Sequence, residues 1–157
     1  KEEDSININK YFSNMKGKWR ETVQYGGTYW FKTENHPMFM NPTHQRRFTQ
    51  PDNHIVNSDK GVDSVTGAFQ IWKLDDFVSI GGFNPSMSCV LQDVDACLKI
   101  LELDKKIHYF GKDIYFYHDE SAVHENLKDH KKENIKFVSD QFLFGKIWNK
   151  KIAKLVL

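Results

Sequence analysis

The sequence predicts an α/β domain in which a short mixed sheet is flanked by helices. The chain has 157 residues, which is enough for one ordinary domain with its own core and short for two. Short segments rich in β-branched and aromatic residues alternate with segments whose apolar residues recur at helical spacing. We therefore expect a compact unit of packed strands and helices.

The first half of the chain is predicted to contain strands and a long loop. Residues 1–20 are charged and polar, and we assign them no function. In residues 22–32, aromatic and β-branched residues surround two glycines, which is typical of a strand pair or a bulged strand. Residues 34–61 are rich in Pro, Asn, His and Asp, so we expect a long loop with room for one short strand. Residues 68–74, AFQIWKL, are predicted to form a strand.

The second half is predicted to contain most of the helices. LDDFVSIGGF, residues 74–83, is typical of a short helix that ends at two glycines. The clearest helical stripe follows it at Val94, Cys97, Leu98 and Leu101. KKIHYFG and DIYFYHD predict two short strands separated by a turn. Residues 132–148 predict a terminal helix that packs on the rest through Ile135, Val138, Phe142 and neighbouring apolar residues.

Composition and charge disfavour several classes of protein. The chain has 22 Lys and Arg against 21 Asp and Glu, so it has no global attraction for nucleic acid. No apolar run is long enough to cross a bilayer. The chain begins with Lys1 and shows no signal peptide, so we expect a piece of a longer protein. Cys89 and Cys97 form neither a disulfide framework nor a zinc quartet, which favours a reducing, cytoplasmic setting.

The C-terminal segment, residues 145–157, has two interpretations. It contains four lysines and no acid, and Trp148, Ile152 and Leu155 recur at i, i+4 and i+7. Such a helix can lie weakly on a membrane surface, which would make the protein peripheral. The sequence favours the alternative, a core-packed terminal helix with a solvated lysine face, because one short basic stretch binds membranes weakly.

Asp93 and Asp95 stand in the first turn of the best-predicted helix. The simpler interpretation is that they stabilise the helix start, with Asp95 also paired to Lys99 one turn later. The other interpretation is that one of them performs chemistry. Residues two positions apart on a helix point in roughly opposite directions, so at most one acid faces a given cleft. The local pattern alone favours the stabilising role.

His118 closes the predicted strand IYFYH and precedes two acids. Strand ends of α/β sheets are places where ligands bind, although a surface histidine is the commoner outcome for this residue type. His118, His124 and His130 are spaced by six, which suits neither a helical ligand pair nor a zinc finger. The sequence therefore gives no support for a three-histidine metal site.

Taken in order, these motifs resemble the acceptor-side half of family 2 glycosyltransferases of GT-A fold. The order is a V-T-G-A turn, a helix ending in G-G-F, a D-V-D-x-C-L helix, and two strands ending in His before an E-S pair. The resemblance covers residues 48–149, with residues 1–47 as a lead-in and residues 150–157 as a basic helix end. It implies a partial GT-A-like domain that lacks the N-terminal nucleotide-binding half.

The resemblance also implies an activity, the inverting transfer of a sugar from a nucleotide-sugar to a hydroxyl of a glycan, lipid-linked or protein acceptor. Asp93 corresponds to the base that takes the proton from the acceptor hydroxyl. His118 corresponds to the residue that helps to hold a divalent metal, Mn2+ or Mg2+, or the diphosphate. That metal is bound mainly by a D-x-D motif that is not present in these residues. Substrate-binding positions are expected at Thr66, Gly67, Gly81, Gly82, Phe83 and, as a supporting acid, Asp95.

The chain departs from the family pattern at three places. Asn84 follows G-G-F where an acid is usual, Asn57 stands where a histidine is usual, and the usual arginine after E-S is replaced by A-V-H-E. Because the donor-binding half is not among these residues, we expect this chain alone to be inactive. The alternative is a non-catalytic half-domain that binds a glycan or a protein. The sequence assigns no oligomeric state.

Overall fold

The computed structural model describes residues 23, 25–33, 36–44, 54, 57–112, 114, 116 and 130–155. Helices and strands are both present, as predicted. In chain order they are β1 Thr28–Thr33, β2 His36–His44, β3 Asp59–Val62, α1 Leu74–Ser79, α2 Gln92–Leu101, β4 Ile107–Phe110, α3 His130–Trp148 and α4 Ile152–Leu155. Within the described ranges the strands form two antiparallel pairs and no parallel pair, so the mixed sheet is not seen there.

The first pair, β1 with β2, places a strand where the sequence predicted mainly loop. Thr28 lies opposite His44, and the register shifts between Lys32 and Thr33. The prediction of a strand within residues 22–32 is therefore confirmed, but the strand that pairs with it lies in the Pro-rich segment that follows. Pro42 lies opposite Trp30. A proline without an N–H is compatible with an edge strand, and in a sheet of two strands both strands are edges.

The second pair, β3 with β4, confirms the strand predicted from KKIHYFG. Asp59 lies opposite Phe110 and Val62 opposite Ile107. Exposure alternates along both strands, as expected for a sheet with one packed face. In DIYFYHD, residues 114 and 116 lie outside strands. The other residues of that predicted strand lie outside the described ranges.

The strand predicted at residues 68–74 is wrong. These residues run as turns and unpaired chain until α1 begins at Leu74. Phe69 and Ile71 are apolar, yet they are 48% and 86% exposed, so they do not form the buried face that a strand here would have. Side chains supply local bonds instead, since Gln70 Nε2 donates to the Val65 carbonyl at 2.7 Å and Trp72 Nε1 donates to Gln70 Oε1 at 3.1 Å.

Helix α1 ends at the two glycines, as predicted. The N–H of Gly81 donates to the Val78 carbonyl at 3.0 Å, and the N–H of Gly82 donates to the Phe77 carbonyl at 2.9 Å. These bonds form a Schellman motif. Gly81 and Gly82 have φ of 77° and 68°, in the left-handed region where a side chain is strained. The glycines are therefore required by the backbone of this turn.

The core lies between α2 and the C-terminal helices. The predicted helix is confirmed as α2, and its buried apolar residues are Val94, Ala96, Cys97, Leu98 and Ile100. They belong to a core that also contains Met87 from the preceding loop, Phe144 and Trp148 from α3, and Ile152 from α4. The start of α2 is thus fixed against helices that come about fifty residues later.

Helix α3 confirms the predicted terminal helix but packs through a different face. Ile135, Val138 and Phe142 are 69%, 63% and 65% exposed. Asp140, Phe144 and Trp148 are buried instead, at one-turn spacing. The sequence does not indicate this stripe as a core face, because it contains an acid whose hydrogen bonds are tertiary. The helices in the described part of the chain include none with both the length and the hydropathy of a membrane span.

The C-terminal segment packs into the core. Trp148 and Ile152 are 1% and 0% exposed, so they do not form a surface-lying apolar face. Lys150, Lys151 and Lys154 are exposed, as expected of a solvated lysine face. The core-packed interpretation of residues 145–157 is the one that fits the described residues, with Lys151 paired to Glu102 at 2.7 Å.

Candidate active site

A cavity of about 550 Å³ opens between the turn before α1, the loop after α1 and the start of α2. It is lined by Thr66, Gly67, Ala68, Phe83, Asn84, Pro85, Met87, Cys89, Val90, Leu91, Gln92 and Asp93. Four of the site residues predicted from the sequence lie here, namely Thr66, Gly67, Phe83 and Asp93. The cavity is wide enough for part of a ligand of small-molecule size.

Among the described residues that line this cavity, Asp93 is the only carboxylate. Its Oδ2 accepts a hydrogen bond from the Gly67 N–H at 2.7 Å, and its Oδ1 accepts one from the Val94 N–H at 2.9 Å. Both donors are backbone groups near the N-terminus of α2, which stabilise negative charge. The carboxylate is half-buried and keeps further acceptor capacity for a ligand hydroxyl.

The backbone of Gly67 lies very close to the Asp93 side chain. A Cβ added at Gly67 would lie 3.2 Å from both Cβ and Oδ2 of Asp93, which is tighter than ordinary van der Waals contact. The V-T-G-A turn and the D-V-D helix are 26 residues apart in sequence, yet they meet through this contact. The absence of a side chain at Gly67 is what allows its N–H to reach the carboxylate.

Asp93 does not cap α2 in the usual way. The N-cap position is Leu91, which has φ of 69° and provides no side-chain cap. The first intrahelical bond runs from the Asp95 N–H to the Leu91 carbonyl at 2.8 Å. Asp93 therefore directs one oxygen out of the helix toward Gly67, while the other stays on the first turn.

Asp95 lies in the core and not on the cavity. Its side chain is fully buried, and its Oδ1 accepts a hydrogen bond from Trp148 Nε1 at 2.8 Å. The Lys99 ammonium lies 2.8 Å from Oδ2 and pairs with it by charge, although not along a well-aligned hydrogen bond. The pair predicted one turn apart is confirmed. We therefore assign Asp95 a supporting role in the core and no contact with a substrate.

The glycines of the G-G-F motif act on the cavity through their neighbour. Gly81 and Gly82 are not among its lining residues, whereas Phe83 is, with 47% of its surface exposed. The Phe83 ring packs edge-on against Phe77 at 5.0 Å between centroids. The glycine turn thus places an aromatic ring at the rim. Next to it, Asn84 Oδ1 accepts the Ser86 N–H at 3.0 Å, which orders the loop.

The predicted metal ligand, His118, lies outside the described residues. Among those that are described, no group of three or more His, Cys, Asp or Glu is arranged to hold a metal ion. One carboxylate among the described lining residues is fewer than the oxygen ligands that Mg2+ or Mn2+ normally takes. The described residues do not by themselves form the divalent site.

The two cysteines differ in their surroundings, and neither is in a disulfide. Cys89 lines the cavity, whereas Cys97 is fully buried in the core. Burial raises the pKa of Cys97 from an ordinary value of 9.0 to about 12. Cys97 is therefore a neutral thiol at physiological pH and not a nucleophile.

Sequence reasoning missed one residue that contacts the cavity loop. Asp140 on α3 is 2% exposed, and its Oδ2 accepts hydrogen bonds from the backbone N–H groups of residues 88–90. Two of those residues line the cavity. The sequence contains a signal for it, since Asp140 lies one turn before Phe144 and two turns before Trp148, but the stripe of Ile135, Val138 and Phe142 is the more apolar pattern.

Comparison of the chain with protein-family models, with curated proteins and with solved structures finds no match in any of the three. The resemblance to family 2 glycosyltransferases therefore rests on the motifs and their order. Three of these motifs, V-T-G-A, G-G-F and D-V-D, contribute residues to one cavity.

Proposed function

We propose that this chain is the acceptor-side part of a GT-A-like inverting glycosyltransferase, which transfers a sugar from a nucleotide-sugar to a hydroxyl acceptor. The observation that supports the proposal most strongly is the position of Asp93. Its half-buried carboxylate lines the cavity and is held at 2.7 Å by the N–H of Gly67 from the V-T-G-A turn. A fixed, ionisable oxygen beside an open cavity is what a general base requires.

In the proposed step, an acceptor hydroxyl lies in the cavity and hydrogen-bonds to Asp93. Its oxygen attacks the anomeric carbon of the donor while its proton passes to the carboxylate. The bond between that carbon and the diphosphate oxygen breaks, and the electron pair leaves with the diphosphate. Attack from the face opposite the leaving group inverts the configuration. Gly67 and the start of α2 hold the base in place, so little reorganisation is needed at the moment of proton transfer.

Phe83 and Thr66 are the residues that we assign to substrate contact. Phe83 presents a half-exposed ring at the rim, suitable for the apolar face of a sugar. Thr66, on the V-T-G-A turn, adds a hydroxyl to the lining. We retain His118 and a divalent Mn2+ or Mg2+ as parts of the donor side. When bound, the metal would neutralise charge on the departing diphosphate.

The proposed setting is the cytoplasm. Both cysteines are thiols, which accords with a reducing compartment. The resemblance implies nucleotide-sugar donors, which we expect the protein to use in that compartment. The exposed lysines of the C-terminal segment give any membrane contact an electrostatic character, because the apolar residues Trp148 and Ile152 are in the core.

The test is Asp93→Asn in the full polypeptide that contains this chain, assayed with a panel of nucleotide-sugars. We expect kcat to fall by about 10²- to 10⁴-fold with donor binding retained, because the amide has no lone pair basic enough to take the proton. Asp75→Asn is the matched control, since Asp75 is an exposed acid in the first turn of α1. It should leave kcat unchanged.

A wild-type protein that binds glycan but transfers nothing from any donor would overturn the proposal and support the non-catalytic alternative. Wild-type turnover in Asp93→Asn would remove Asp93 from the role of base. Gly67→Ala gives a second measurement, because the added Cβ meets Asp93 at 3.2 Å and must displace the carboxylate. It should lower kcat while preserving the fold.

A further inference from the structure

Asp140 connects helix α3 to the rim of the cavity. Its Oδ2 accepts three backbone hydrogen bonds, from Ser88 at 3.0 Å, Cys89 at 2.6 Å and Val90 at 3.0 Å. These three residues are consecutive, and they lie about fifty positions before Asp140 in the chain. One carboxylate oxygen thus holds the backbone of residues 88–90, and we call this contact the clamp.

The chemistry of this contact favours a carboxylate. Asp140 is 2% exposed, and burying a charge without partners is strongly unfavourable. Three N–H donors on one oxygen offset that cost, because hydrogen bonds to an ionised acceptor are stronger than neutral ones. A neutral amide oxygen has the same shape but attracts the three donors less. The loop should therefore be less firmly held by Asn than by Asp at this position.

The clamped segment leads directly to the proposed base. Residues 88–90 are followed by Leu91, whose φ of 69° is uncommon for a residue with a side chain. Such a conformation persists when the surrounding contacts fix it from both sides. Asp140 fixes the chain before Leu91, and the bond from the Asp95 N–H to the Leu91 carbonyl, 2.8 Å long, fixes it afterwards. The direction in which α2 leaves this turn sets where Asp93 points.

We infer that Asp140 is a positioning residue, which holds the loop 88–90 so that the Asp93 carboxylate stays aligned with the Gly67 N–H and the cavity. The inference rests on the proposed function, because its consequence is a rate. It assigns catalytic importance to a side chain that is buried away from the substrate and lies on the last long helix. It also explains why an acid occupies a core-facing position between exposed neighbours on α3.

The experiment compares Asp140→Asn with wild type in the full polypeptide, with Ile152→Ala as a control for lost stability. Ile152 is fully buried in the same core but belongs to α4. Hydrogen exchange of the amides of residues 88–90 reports the clamp. Transfer kinetics, normalised to the folded fraction, report positioning, because a merely structural change does not alter kcat per folded molecule.

In Asp140→Asn we expect amide exchange at residues 88–90 to accelerate by about tenfold or more, as local opening becomes easier. We expect kcat per folded molecule to fall roughly 10- to 100-fold, with the donor KM nearly unchanged, since misplacing a catalytic group by about an ångström has effects of this size. Ile152→Ala should lower stability and leave kcat per folded molecule and exchange at 88–90 near wild type.

Unchanged exchange at residues 88–90 in Asp140→Asn would overturn the clamp. Faster exchange with unchanged kcat per folded molecule would overturn the positioning role while leaving the proposed function intact. A wild-type protein without transfer activity would instead overturn the proposed function, and this inference with it. An equal fall in kcat per folded molecule in Ile152→Ala would show that general loosening, and not the clamp, affects the base.

Discussion

At the scale of single residues, three aspartates show how partners decide what a carboxylate does. Asp95 and Asp140 are fully buried and bonded to Trp148 Nε1 and to backbone N–H groups respectively. Asp93 is only half-buried. Its Oδ2 accepts the Gly67 N–H from a turn, and its Oδ1 accepts the Val94 N–H from α2. Buried carboxylates with partners inside the protein organise the core, whereas a half-buried carboxylate on a cavity keeps acceptor capacity for a ligand.

Trp148→Phe tests how much the buried bond to Asp95 contributes. It removes the Nε1–H donor at 2.8 Å from a carboxylate with no access to water, and leaves a small void. We expect the free energy of unfolding to fall by about 2 to 4 kcal/mol. The measurement is urea denaturation followed by circular dichroism.

Trp30→Phe is the matched control for this change. Trp30 Nε1 donates to Asp63 Oδ2 at 3.2 Å, but both residues are only half-buried. Water can replace the lost donor, so we expect a loss of about 1 kcal/mol or less. Equal losses in the two variants would contradict the view that burial gives the Asp95 contact its strength.

At the scale of elements, helix ends explain several unusual backbone angles. Helix α2 is followed by a Schellman motif in which the Asp104 N–H donates to Leu101 and the Lys105 N–H donates to Ile100, at 3.0 and 3.4 Å. Asp104 has φ of 55°, at the position that glycine fills after α1. Aspartate tolerates this region better than most residues, so the same turn is made with two different chemistries.

Helix α3 gives a direct test of which face packs. Phe142 is 65% exposed and Phe144 is 2% exposed, although both are on the same helix and of the same type. We expect Phe144→Ala to lower the free energy of unfolding by about 3 to 5 kcal/mol, because it opens a cavity in the core. Phe142→Ala should change it by about 0.5 kcal/mol or less. Chemical denaturation measures both, and a larger loss for Phe142→Ala would reverse the assignment of the face.

At the scale of the whole molecule, the cavity depends on segments that are far apart in the chain. The turn at residues 66–68, the loop at 83–90 and the start of α2 meet there, and α3 supports them from the other side. A second set of hydrogen bonds joins the strand region to the segment that leads to the cavity. Lys60 Nζ donates to the Gly26 carbonyl at 2.7 Å, and the Tyr25 hydroxyl donates to the Ser64 carbonyl, two residues before Thr66. Removal of any of these hydrogen bonds should change the positions of the residues that line the cavity.

Global stability should fall in alkali through the buried thiol. Burial raises the pKa of Cys97 to about 12, so between about pH 9 and pH 12 the unfolded chain releases this proton while the folded chain keeps it. The unfolded state then binds fewer protons, and stability decreases as pH rises, by up to about 1.4 kcal/mol per pH unit. Below pH 9 both states are protonated and the effect vanishes.

Cys97→Ala should flatten this part of the profile, measured as the free energy of unfolding by urea from pH 8 to pH 11. Burial also raises the pKa of the Tyr25 hydroxyl, so Tyr25 adds a similar dependence that begins near pH 10 and remains in the variant. A profile with the same slope between pH 9 and pH 10 in Cys97→Ala and wild type would contradict the assignment to Cys97.

How much of the fold could be predicted depended on whether its cause was local. Helix α2 and the glycine end of α1 follow from apolar spacing and from backbone freedom at Gly81 and Gly82, so both were predicted correctly. The strand at residues 68–74 and the packing face of α3 were wrong, because apolar residues such as Ile71 and Val138 are exposed. An apolar pattern shows what could be buried, whereas burial needs a partner surface.

The sequence by itself determined the local chemistry of this protein, that is, the helix that carries Asp93, the glycine-containing turns and the choice of residues for the candidate site. The motif order suggests Asp93 as the base, but only the tertiary structure decided that Asp93 lies on the cavity and Asp95 in the core, because the contacts of Asp93 with Gly67 and of Asp95 with Trp148 join residues 26 and 53 positions apart. The hold of Asp140 on residues 88–90 belongs to the same class. Such contacts depend on how helices pack in space, and no local pattern encodes them.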